Sequence, residues 1–152
     1  MSTIEKNEIV NSHNLSSKFG LFAGIGMTFM LLLFQLTGND YSPVLKLSSY
    51  LFLMIAIVVA LNMYKNKISG DVFIRGIGVG TKLSLVAGLC LAAINIILFL
   101  VLPQYAFSKY GMEPHSLQQM FLISVVLFFE TLIIGSIMTF IVLQFLKDRI
   151  KV

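Results

Sequence analysis

The chain has 152 residues, of which 57% are hydrophobic and only 12% charged, against about half and about a quarter in an ordinary soluble domain. So few charges exclude the usual water-facing surface, which is built largely from Lys, Arg, Glu and Asp. The formal net charge of +4 is carried at the ends of long apolar blocks, which points to helix orientation and anionic lipid headgroups rather than to nucleic acid.

Residues 1–17 form a polar leader with Glu5, Lys6, Glu8 and His13, expected as a flexible segment or a short surface helix. The first apolar block covers 19–38, about the 20 residues that cross a roughly 30 Å hydrocarbon layer. A cleaved signal peptide is the competing reading. The long polar leader, the long apolar block and the lack of a small-x-small site after it argue against that. Asn39-Asp40-Tyr41-Ser42-Pro43 has the composition of a turn, with Pro43 placed to start a helix. The second block covers 44–64, with Lys46 near its start, and residues 65–71 are a polar connection.

The third helix is expected over 73–102. Its hydrocarbon portion runs from about Lys82 to Pro103, with residues 72–81 as an interfacial lead-in. Residues 104–116 make the longest loop. The fourth block, 117–146, exceeds the bilayer thickness and is expected to tilt or protrude. Backbone polar groups in hydrocarbon must be paired within their own segment, so all four blocks read as helices. The expected fold is an all-α integral membrane four-helix bundle, with 18–152 as a single domain.

Lys6, Lys18, Lys65, Lys67, Arg75, Lys82, Lys147, Arg149 and Lys151 fall on one side of such a bundle, and only Lys46 and Lys109 on the other. The positive-inside bias then places both termini in the cytoplasm. Tyr41, Tyr105 and Tyr110 fall at the outer interface and Tyr64 at the inner one, where amphipathic rings are favoured.

The strongest pattern is a small-residue stripe in the third block, in which Gly76, Gly80, Ser84, Gly88 and Ala92 recur every fourth residue. Ser16, Gly20, Gly24 and Thr28 repeat it in the first block, and Thr131, Gly135 and Thr139 in the fourth. Lipid supplies little hydrophobic drive between helices, so close backbone approach through small residues does the packing. These faces serve packing inside one bundle or docking onto a second copy or another membrane protein. Gly76-Ile77-Gly78-Val79-Gly80 lacks the spacing, the preceding strand and the Lys-Ser/Thr pair of a phosphate loop. Lys82 is read as a snorkelling lysine at the membrane edge.

Glu130 stands out inside Leu127-Phe128-Phe129-Glu130-Thr131-Leu132-Ile133, where a charged carboxylate costs at least about 2.5 kcal/mol. Depth counting from the outer face places Asn95 near it and makes Asn95 its expected partner, with Gln35 and Lys46 shallower on the same half. One reading is a proton- or ion-coupled site formed by Glu130, Asn95, Gln35 and Lys46. The other is an interhelical clamp between Glu130 and Asn95, worth about 0.6–2 kcal/mol. His13 and His115 lie on opposite sides of the expected membrane, without ligand spacing to Cys90 or to an acid, so no metal, haem or other cofactor is expected. Cys90 has no second cysteine to pair with, no Ser-His-Asp or Cys-His set assembles on one face, and enzymatic activity is not expected.

Ile68-Ser69-Gly70-Asp71-Val72-Phe73-Ile74-Arg75-Gly76-Ile77-Gly78-Val79-Gly80 is similar to the pattern (I/L)-S-x-x-x-(F/A)-x-x-G before the third helix of a bacterial membrane family catalogued as domain of unknown function 4199. The resemblance extends to Lys18-Phe19-Gly20-Leu21, the four-helix layout and the basic tail, while residues 104–116 are shorter than the corresponding loop of many members. It implies a bacterial inner-membrane location of the Bacteroidota type and no activity or site residues. The expected role is a non-enzymatic subunit or scaffold in the bilayer. A small oligomeric carrier centred on Glu130 is the alternative, and a lipid- or envelope-sensing role is a third.

Overall fold

In a computed structural model of the chain, four helices account for nearly all of the described residues: α1 (Thr3–Leu36), α2 (Pro43–Lys65), α3 (Val72–Val101) and α4 (Leu117–Asp148). The structure describes residues 3–37, 43–65, 72–103, 106–107 and 116–148, and side chains from 14 to 146 among these except 43–46, 65 and 72. The four apolar blocks are thus the four helices, each within a few residues of its expected ends except at the start of α1. That helix begins at Thr3, so residues 3–17 continue the first span instead of forming a separate leader. Residues 3–13 contain neither Gly nor Pro, and a helix already nucleated in the membrane propagates cheaply through such a segment. Within the helices, stretches long and apolar enough to cross a membrane run over Asn14–Leu36, Leu47–Tyr64, Phe73–Val101 and Leu117–Leu146.

The helices pack as a rhombus. α2 and α3 meet across the short diagonal, and α1 and α4 occupy the far corners. α3 makes the most extensive contacts, with α4 on one side and α1 on the other. Its two partners sit in fixed registers. Ser16 donates its hydroxyl to the Val79 carbonyl at 3.2 Å, a separation of 63 residues. Gly20 against the Leu83 carbonyl and Gly24 against the Ala87 carbonyl keep the same spacing, so α1 and α3 run parallel. On its other face α3 runs antiparallel to α4, with Gly76 against Leu143, Gly80 against Thr139, Ser84 against Gly135 and Gly88 against Thr131.

At each contact a glycine lets its backbone come up against the neighbouring helix, on carbonyls of α3 in the α1 seam and mainly on side chains in the α4 seam. A Cβ at Gly24 would lie 2.7 Å from the Cys90 Cβ and 2.9 Å from the Ala87 carbonyl oxygen, and one at Gly20 only 2.7 Å from the Leu83 oxygen. The α3 stripe is therefore spent inside the chain. Gly76, Gly80, Ser84 and Gly88 are buried against α4, Gly135 against α3, and Gly20 and Gly24 against α3, with Ala92 half-buried. The expectation that these faces dock onto another protein gives way to intramolecular packing, because a face already buried against its own neighbour cannot receive a second helix.

α2 fills the remaining side with a wider stripe: Ser49, Tyr50, Leu53, Ala56, Ile57, Ala60, Leu61 and Tyr64 are all buried, at the spacing of one helix face. The exterior is the reverse of a soluble protein's. Phe22, Ile74, Val101 and Phe145 are 59%, 68%, 69% and 72% exposed, and similar side chains clothe all four helices. A soluble monomer seldom exposes an apolar patch beyond a few hundred Å², so this surface belongs in lipid, and the chain is a multi-pass integral membrane protein.

Glycine size, not helix propensity, governs the α1–α3 seam, and two leucine substitutions separate the effects. Gly24→Leu is expected to lose about 1–3 kcal/mol through overpacking. Gly78→Leu, at a glycine with open space around it, is expected to lose none. Thermal or denaturant unfolding in detergent reads both, and equal stability of the two variants would refute the seam.

Candidate functional site

The polar side chains singled out in the sequence divide into two groups at different depths. Asn95 is fully buried on α3. Its Oδ1 accepts the Phe107 backbone N–H at 2.9 Å, and its Nδ2 donates to the Ser124 hydroxyl on α4 at 3.4 Å. Ser124 in turn donates to the Met120 carbonyl at 3.0 Å. Gln35, near the end of α1, donates through Nε2 to the Ala106 carbonyl at 3.4 Å. Beyond α3 the chain therefore turns back, with Ala106 N–H on the Pro103 carbonyl at 3.2 Å, and buries Ala106 and Phe107 in the bundle. Non-helical backbone at membrane depth survives only where the protein supplies its hydrogen-bond partners. Asn95 and Gln35 supply them here, tying α1, α3 and α4 to one returning segment.

Glu130 is not part of this latch. The α3–α4 register sets Asn95 level with Ser124 and Gly88 level with Thr131, which separates Glu130 from Asn95 by about 9 Å along the helix axes. The expected Asn95–Glu130 pair is thereby corrected. α4 enters the bundle at Leu117, so Glu130 lies about 13 residues in, roughly 20 Å deep, and not level with Asn95. Its direction also differs. Thr131 is buried, whereas Phe129 and Ile133 are 53% and 58% exposed, and Glu130 is half-buried on the flank between them. Its Oε2 is buried. The residue borders a shallow groove of about 370 Å³ lined also by Val125, Val126, Phe129, Ile133 and Ile134, all from α4. Lys46 lies in the first turn of α2 with its side chain outside those described. Among the described side chains, then, Asn95 and Gln35 meet at the returning segment and Glu130 stands apart.

Chemically, the first group is a structural latch and the second a carboxyl at the lipid boundary. Apart from Ser16, which bonds across to α3, several buried hydroxyls are absorbed locally. Ser84, Thr131 and Thr139 donate to the carbonyls of Gly80, Leu127 and Gly135, one turn back on their own helices, at 2.7–2.8 Å, a common resolution for Ser and Thr in helices. Residue spacing from the membrane face does not point to Ser124 and Phe107 as the partners of Asn95. Laying the Thr131, Gly135, Thr139 stripe antiparallel on the α3 stripe would have located Ser124. Phe107 lies outside every helix and carries no such signal. No family model matches the chain, and comparisons with curated proteins and with solved structures gave no match.

Replacing Asn95 by Leu, similar in size but without an acceptor, strands the buried Phe107 N–H. Such a loss costs about 1–3 kcal/mol. Hydrogen exchange at the Phe107 amide is expected to accelerate markedly in Asn95→Leu and to stay slow in Asn95→Asp, which keeps an acceptor oxygen. Unchanged protection in the leucine variant would show that the latch does not hold the segment.

Proposed function

We propose that this chain is a non-catalytic subunit of a bacterial cytoplasmic-membrane assembly, which docks sideways in the bilayer onto another membrane protein or further copies of itself. The observation that carries this is the place of Glu130. An ionisable residue within a membrane span ordinarily faces the bundle interior, yet this one lies half-buried on the outward flank of α4 beside exposed Phe129 and Ile133. Whatever it bonds within its own chain, a neighbouring helix laid over this flank removes the side chain from lipid. The interior argues the same way. α3 packs closely against α1 on one side and α4 on the other at glycines, which leaves no channel along either of these two seams.

The positive-inside distribution supports both termini in the cytoplasm. The resemblance of Lys18-Phe19-Gly20-Leu21 and the segment 68–80 to the family of unknown function supports a bacterial inner membrane. A second reading, a small proton- or ion-coupled carrier, draws on the same carboxyl. If copies meet along α4, Glu130 and its groove become an enclosed polar site between them.

A photo-crosslinker placed at position 133 tests the docking flank in native membranes, with position 22 on α1 as the control. The expected result is an adduct of one defined mass from 133 and none from 22. Equal labelling from both positions sinks the proposal. Native mass spectrometry of the gently extracted protein then identifies the neighbour. In liposomes, Glu130→Gln is expected to leave assembly intact with no change in proton flux. A flux that disappears in this variant would instead establish the carrier.

A further inference from the structure

We draw no further inference here: the strongest candidate, the shallow groove beside Glu130 on the outward flank of α4, belongs to the site already described, and nothing in the structure shows what covers it.

Discussion

Helices in lipid gain little from hiding apolar side chains from one another, because the acyl chains are equally apolar. What joins them is close approach of their backbones, and the arrangement of this protein follows from how α3 achieves that on two sides at once. Gly20 and Gly24 of α1 touch the Leu83 and Ala87 carbonyls, while Gly80 and Gly88 receive Thr139, Phe128 and Thr131 of α4. Each seam is a ladder of four-residue steps, so sliding either helix by one residue would bring larger side chains against backbone. The two registers are therefore sharply defined, and they place everything else. Asn95 is held level with Ser124, and Glu130 is held away from both.

The hydroxyls in these seams are chosen for the same reason. Ser84, Thr131 and Thr139 satisfy themselves on carbonyls of their own helices, so they present a compact surface with no polar demand on the neighbour. Ser16 and Asn95 differ, since their hydrogen bonds reach another element. Asn95 in particular holds irregular backbone beneath the end of α3, where an unsatisfied amide would be costly. Polar residues thus act as joints where the chain leaves helical geometry, and small residues act as the seams between.

The fold was legible because a bilayer imposes length and periodicity that survive in the raw sequence. The four helices and the α3 stripe could be read from residue spacing alone. The continuation of α1 to Thr3 could not, because propagation into water leaves no hydropathy signal. The partner of Asn95 failed for a more instructive reason. Counting residues from an assumed membrane face gives depth to within a turn or two and gives no direction around the helix. Both errors met in pairing Asn95 with Glu130. The correct partner, Ser124, follows once the Thr131, Gly135, Thr139 stripe is set against Gly88, Ser84 and Gly80, since glycine contacts fix register more tightly than depth does. The register is carried by the small residues and not by the polar ones.

That division also bears on where the acidic and basic groups lie. Glycine contacts and self-satisfied hydroxyls take up the seams between α3 and its neighbours. The described acidic and basic side chains lie toward the outside of the bundle: Glu130 on the α4 flank among apolar side chains, and Lys18, Arg75 and Lys82 exposed on α1 and α3. α1 and α4 are moreover the far corners of the rhombus, so a neighbour laid over the α4 flank would leave the outer surface of α1 in lipid.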